Sequence, residues 1–190
     1  ELINWTINYK LDFFNRDFLK SAFNSLLLAL IAAFLCTMIA FLINFTARYQ
    51  GNKLLSFLSS TLMLGYAVPG LILAIGITQL FTIIDNSFYL FRIDIILTGS
   101  LIGLIIAYII KSYALSNSTI ESGFQRISNS FDDVSKTFNI SGIKLMYKIH
   151  LPLLRTGLLT SILLVGSEVI KELPATLILR PFNFETLAVS

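Results

Sequence analysis

The chain has 190 residues, of which 55% are hydrophobic and only 13% charged, and its mean hydropathy is +0.78. A soluble domain carries roughly 25% charged residues, and a chain of this size with so few could not cover its surface with polar side chains. The composition describes a membrane protein and excludes a disordered chain, a collagen-like chain and a disulfide scaffold. The net charge of +3 is no nucleic-acid signal, because Lys and Arg spread between apolar runs are what membrane topology requires.

The first twenty residues are polar and aromatic, with Lys10, Arg16 and Lys20 scattered among acids, and they hold no secretory signal. Trp5, Tyr9, Phe13 and Phe14 suit an interfacial belt, so residues 1–20 are expected to be an extracytoplasmic segment. The chain opens at Glu1, and the expectation is an interior piece of a longer protein.

Four largely uncharged stretches follow. The first, Ser21 to Ala47, is long enough to cross a hydrocarbon core of about 30 Å. Cys36 lies inside it and reads as a small buried hydrophobe. The second, Leu54 to Ile84, would reach roughly 46 Å as one straight helix. A break is written into it at Gly65-Tyr66-Ala67-Val68-Pro69-Gly70, where Pro69 cannot donate to the carbonyl of Gly65. In lipid such a break survives only against protein or a water-lined cavity, so it is expected to face the bundle interior. Whether it gates or merely kinks stays open.

The third stretch, Ile95 to Ile110, lies between Asp94 and Lys111 and spans if Lys111 snorkels and the helix continues through Tyr113 and Leu115. The fourth begins near Gly157 and then meets Glu168, Lys171 and Glu172. Spacings of three and four put these on one side of a helix, near mid-membrane or slightly outward. They are either a charged lining for a hard cation or a Glu–Lys pair that neutralises itself between helices. The connections Arg48–Lys53 and Lys111–Arg155 hold the larger share of Lys and Arg, which places them in the cytoplasm.

The loop 111–156 carries most information. Ile120, Phe124, Ile127, Phe131, Val134 and Phe138 are spaced 4, 3, 4, 3, 4, the period of a helix with one buried stripe. Ser130 and Asp133 resemble a capping box that restarts a helix near Phe131, and Asn139, Ser141 and Gly142 supply a turn. A short second helix, Ile143 to His150, is expected to end at Leu151-Pro152. A linker packed on its own bundle and a dock for a cytoplasmic partner are equally open on these grounds.

The same residues resemble the permease subunits of ATP-binding-cassette (ABC) importers. That family's loop reads Glu-Ala-Ala, three residues, Gly, nine residues, Ile, one residue, Leu-Pro. Here the spacing is kept as Asp133-Val134-Ser135, Asn139, Ile149 and Leu151-Pro152. The Gly65–Gly70 break and Lys171-Glu172-Leu173-Pro174-Ala175-Thr176-Leu177-Ile178-Leu179-Arg180-Pro181-Phe182 look like the ferric-iron importer permeases, whose long chains hold two homologous halves. The likeness covers about residues 20 to 190, most of the second half.

The resemblance implies an all-α, polytopic bundle of the MetI-like type, with about four spans and cytoplasmic coupling helices, in a bacterial inner membrane. Residues 21–190 would be an incomplete permease domain, with further spans before Glu1 and after Ser190. It implies as partners a cytoplasmic ATPase dimer, a periplasmic substrate-binding protein, the other permease half and membrane lipid, and no nucleic acid. Asp133, Val134, Ser135, Asn139, Gly142, Ile143, Met146, Ile149, Leu151 and Pro152 would couple to the ATPase, with Lys144 and Lys148 at the rim. Glu168, Lys171, Glu172 and Pro69 are the pathway candidates. No cofactor is expected on this chain, ATP being used by the partners. No nucleophile-base pair or phosphate-cradling loop is present, and His150 has no second His or Cys with which to bind metal, so no enzyme activity is expected. Thiamine or an organophosphonate is the alternative cargo, and a non-transport scaffold the alternative class.

Overall fold

The structure, a computed structural model, describes residues 16–51, 53–90, 96–128, 130–138, 140–182 and 184–189; among them every regular element is helical. In chain order these are α1 (Arg16–Gln50), α2 (Lys53–Met63), a 3-10 turn (Leu64–Ala67), α3 (Gly70–Leu90), α4 (Leu101–Gln125) and α5 (Ser130–Thr137). Then come α6 (Ile143–Leu153), with a π-helical turn at Met146–His150, α7 (Arg155–Lys171) and α8 (Pro174–Leu179).

The centre of the bundle is α1, α4 and α7 packed against one another. On α1 the inward stripe is Ala29, Ala32, Ala33, Cys36 and Ala40, each 2% exposed or less, at helical spacing and with small side chains. Its opposite face shows Phe23, Leu26, Leu30 and Phe34, all exposed. That inside-out arrangement suits lipid, where helices associate through close packing and polar contacts rather than through apolar burial. The polar contacts are present: Thr37 Oγ1 lies 2.9 Å from Ser161 Oγ and Ser116 Oγ 2.8 Å from the same oxygen, joining the three helices at one point. Asn44 Nδ2 donates to Asn117 Oδ1 at 2.8 Å nearby.

Among the described residues three helices are long and apolar enough to cross a membrane, Phe18–Tyr49, Gly70–Tyr89 and Leu101–Gln125. A fourth crossing is supplied if α6 and α7, bent by 73° at their junction, count as one. The chain is a multi-pass membrane protein. α3 is one of these crossings by itself, and α2 with the 3-10 turn before it continues the same antiparallel course along α4: Ser59 Oγ sits 2.9 Å from Tyr113 OH, Gly65 presses on Ile110, and Ile77 and Phe81 face Gly103. Farther along, Asp85 accepts the amides of Leu97 and Thr98 at 2.8 and 2.9 Å. The break itself is the 3-10 turn and an extended Val68 (ψ 125°), with α3 starting directly after Pro69.

Four expectations about limits are revised. The helix of the first span starts at Arg16 rather than Ser21; Lys10, Trp5, Tyr9, Phe13 and Phe14 lie outside the described residues, as does Asp94. The third span starts at Leu101 rather than Ile95, because Asp85 holds Leu97 and Thr98 in the turn before it and Gly99 takes φ +71°. It then runs unbroken to Gln125, which puts Lys111 inside the span, not at the mouth of the loop. Pro152 does not end the preceding helix. It sits in the first turn of the stretch Leu151–Leu153, where a missing amide is tolerated, and the bend falls at Leu154.

Candidate functional site

Two polar assemblies stand out, one at each end of α7. The first lies at its start. Arg48, in the last turn of α1, donates from Nε to Asp132 Oδ2 at 2.7 Å and from Nη1 to the carbonyls of Phe124 and Ile127 at 2.8 and 3.0 Å. Those carbonyls lie at the end of α4, where helices leave acceptors unpaired. Asp132 also meets His150 Nε2 at 2.9 Å, so α1, α4, α5 and α6 are tied at one carboxylate. His150 is buried, edge-on to Phe45 and tilted against Phe124 with ring centroids 5.4 Å away in each case, and its Nδ1 has no partner. Burial pushes the imidazole below its ordinary pKa, Asp132 opposing and Arg48 adding to the effect.

Around this anchor the apolar stripe divides. Ile120 and Phe124 are buried and Ile127 packs on the core, as the period predicts. Phe131, Val134 and Phe138 are instead exposed, Phe138 by 73%, since Asp132 rather than the apolar face of α5 turns inward. On α6, Ile143, 71% exposed, and Tyr147 are exposed apolar side chains as well. Asp133 and Pro152 are exposed beside it, and Lys144 and Lys148 are exposed too. Ser135 is buried, its hydroxyl donating to the Phe131 carbonyl at 2.5 Å, and Met146, Ile149 and Leu151 pack against the protein's own core. Gly142 adopts φ 57°, ψ −129° at the start of α6, a backbone only glycine takes easily. Asn139 lies outside the described residues. The helix expected to restart near Phe131 does so: α5 starts at Ser130, whose amide donates to Ser128 Oγ at 3.3 Å.

Between the ends of α4 and α7 lies a groove of about 540 Å³ lined by Thr119, Ser122, Gly123, Arg126, Gly157 and Thr160, among others. Thr119, Ser122 and Thr160 donate to carbonyls of their own helices, so toward the groove they offer acceptors.

The second assembly lies where α7 ends. The helix stops at Lys171, and Glu172 is extended (ψ 100°) before α8 restarts at Pro174. The three charges are therefore not on one helical side. Lys171 is exposed, Glu168 is half-buried, and Glu172 turns inward against the broken span. Its Oε2 lies 4.0 Å from Lys111 Nζ, the side chains being 11% and 17% exposed, while Lys111 also reaches the Val68 carbonyl at 3.4 Å. Lys111 thus does not snorkel. It sits about 15 Å along α4 from Leu101 and about 21 Å from Gln125, near the middle of the bundle. Glu172 Oε1 abuts Gly70, at the positive end of α3, so close that any Cβ there would collide with it. Pro69 is exposed one residue before. Thr176 donates to the Glu172 carbonyl and accepts from Tyr108 OH, which lies 2.7 Å away. Ser167, next to Glu168, commits its hydroxyl to the Leu164 carbonyl at 2.8 Å.

Residues 37–183 match the family of binding-protein-dependent transport system inner membrane components. The chain belongs to that family. It is similar to the Fe(3+)-transport system permease protein FbpB 2 of Haemophilus influenzae, at 23% identity over 174 residues. It is likewise similar to the ferric transport system permease protein FbpB of Actinobacillus pleuropneumoniae, at 27% identity over 173 residues. These alignments cover 92% and 84% of this chain but only 33% and 23% of the relatives, so the chain spans about a quarter to a third of their length. All helices of both assemblies except the part of α1 before Thr37 fall inside the family match.

Sequence reasoning missed Arg48, Asp132, His150 and Lys111 as site residues. Lys111 alone carried a readable signal, a single cation inside an apolar run. Arg48 and Asp132 are 84 positions apart, and nothing local links them. Phe131, Phe138 and Tyr147 were absent from the expected coupling set because a period identifies a stripe, not whether the stripe faces in or out.

Proposed function

We propose that this chain is most of one permease half of a bacterial inner-membrane ABC importer for ferric iron. The observation that carries the reading is the set of exposed apolar side chains Phe131, Val134, Phe138, Ile143 and Tyr147 on α5 and α6, two helices tied together by Arg48, Asp132 and the buried His150. An exposed patch of this kind on a rigid base is what a docking surface requires. Its occupant in this reading is a cytoplasmic ATPase dimer, which hydrolyses the ATP, while this chain performs no chemistry. Asp133, Gly142 and Pro152 shape the dock; Ser135, Met146, Ile149 and Leu151 hold it to the bundle.

The rest of the mechanism follows the helices. α7 is one rod of about 25 Å, joined through Leu154 to the dock and ending at Glu172. A displacement of α6 as the ATPase closes moves the far end of α7 against Gly70 and Lys111, where Pro69 and Glu168 also lie. This is the place for alternating access, and carboxylate oxygens there suit a hard ferric ion. The groove beside Arg126 faces the second permease half, its glycines and hydroxyls permitting close helix contact. A periplasmic binding protein delivers the cargo, residues 1–20 lie on its side, and 21–190 form the permease domain around the loop. The names of the ferric relatives support the choice of cargo.

In the full-length protein, Ile143→Glu or Phe138→Glu is expected to abolish co-purification of the ATPase while leaving the permease folded; undiminished co-purification would overturn the docking assignment. Uptake of radioactive ferric iron by cells expressing the transporter, uncompeted by thiamine or phosphonates, checks the cargo. Competition by either solute would reassign it.

A further inference from the structure

Beyond the transport reading, we infer that the fold holds one structural water molecule between Glu172 and Thr186. A small pocket of about 10 Å³ is lined by Ser25 of α1, Tyr108 of α4, Glu172, Thr176 and Thr186, together with apolar side chains. By that measure a single water fits and nothing larger does. Two of the lining residues carry a fully buried side-chain oxygen without a protein partner, Glu172 Oε1 and Thr186 Oγ1; Thr186 as a whole is 3% exposed. Buried polar atoms are almost always paired, with protein or with ordered water, and two orphans on one cavity point to a shared partner.

The remaining donors and acceptors decide what that partner is. Thr176 donates to the Glu172 carbonyl, so Tyr108 donates to Thr176 and keeps its own lone pairs. Ser25 Oγ accepts the amide of Leu187 at 2.7 Å, which leaves its proton free. A water can therefore accept from Ser25 and Thr186 and donate to Glu172 and Tyr108, four partners of both kinds. A sodium ion would meet the same oxygens, but Glu172 already has Lys111 as its counter-charge, and a second cation would leave a net positive charge buried. The water thus ties the tail segment around Thr186 and the start of α1 to the carboxylate that abuts the broken span.

Radiolytic hydroxyl labelling of the full-length protein in nanodiscs tests this, because radicals formed from a bound water oxidise side chains that bulk water cannot reach. Tyr108 and Tyr113 lie on the same helix and are 3% and 1% exposed, but only Tyr108 lines the cavity. Tyr108 should be oxidised several-fold faster than Tyr113 and should take up label from 18O water. Thr186→Val, which keeps the shape and removes the hydroxyl, should erase that difference while Tyr113 stays protected, showing that the fold is intact. Equal rates in the unaltered protein would mean a dry cavity and overturn the inference. A Tyr108 rate that falls when sodium replaces choline would assign the site to the cation and overturn it equally.

Discussion

Lys111 and Glu172 can be tested as a pair by a double-mutant cycle with Lys111→Met and Glu172→Gln. Their charged atoms are 4.0 Å apart with side chains 17% and 11% exposed. At that distance, with an effective dielectric constant of about 20, the attraction is about 4 kcal/mol. Desolvating the two ions consumes much of it, so the pair as a whole contributes little to stability. Removing one partner is another matter. Lys111→Met strands a carboxylate in the bundle and also deletes the donor to the Val68 carbonyl, at an expected loss of about 3 kcal/mol, the lower end for a broken buried pair. The double variant replaces both charges by neutral groups of similar volume and should return to within about 1 kcal/mol of the parent. Glu172→Gln leaves Lys111 with the Val68 carbonyl and should cost about 1 kcal/mol, so the coupling, read from denaturant unfolding of the full-length protein in detergent, should be about 3 kcal/mol. Additive losses would refute the pairing. Uptake by the double variant then separates two roles: restored transport makes Glu172 a structural partner of Lys111, and lost transport in a stable protein makes it part of the pathway.

Two glycines in the broken span should rank by what a side chain would strike. A Cβ on Gly65 would lie 2.5 Å from the carbonyl oxygen of Ile110, which is backbone and cannot yield, whereas on Gly70 it meets the end of the Glu172 side chain. Gly65→Ala should therefore destabilise by about 2–3 kcal/mol and Gly70→Ala by about 1 kcal/mol, with Gly70→Ala also disturbing the Lys111 pairing; thermal unfolding that reversed the order would contradict this packing. At the loop, His150 is held below its ordinary pKa by burial, so the folded state prefers it neutral. Its contribution is complete above the unfolded value of about 6.5 and is lost as the pH falls through the lower folded value. Hydrogen exchange across 143–153, corrected for intrinsic rates, should rise below about pH 6, and His150→Gln should remove that dependence; an unchanged profile in His150→Gln would place the titration elsewhere.

The sequence made much of the fold legible, and the reasons are local. Apolar runs bounded by charge located the crossings, and Pro69 between Gly65 and Gly70 located the break, because a missing amide and a missing Cβ act on the chain's immediate neighbours. Limits were less readable. Ile96 to Ser100 is apolar enough to be helical, yet a carboxylate from Asp85 claims the amides of Leu97 and Thr98 first. Pro152 reads as a stop, but three residues of helix with proline in their first turn satisfy the same chemistry.

The sites were readable only in part, for a related reason. Glu172 stood out as a charge in an apolar segment, but its partner could not be chosen by spacing: Lys171 is adjacent in sequence, and the chain turns out of helix between them. Lys111, expected to reach for the interface, is instead retained because Glu172 and the free Val68 carbonyl of the break lie within its reach. The break that removes a backbone partner from Gly65–Gly70 thus explains why a lysine can remain in the middle of a span. In the same way Asp132, next to the motif position Asp133, takes the inward role that periodicity assigned to Phe131 and Val134. One buried ion-pair contact with Arg48 outweighs two half-exposed apolar side chains at a membrane edge, and the surface left facing out is the one a partner can use.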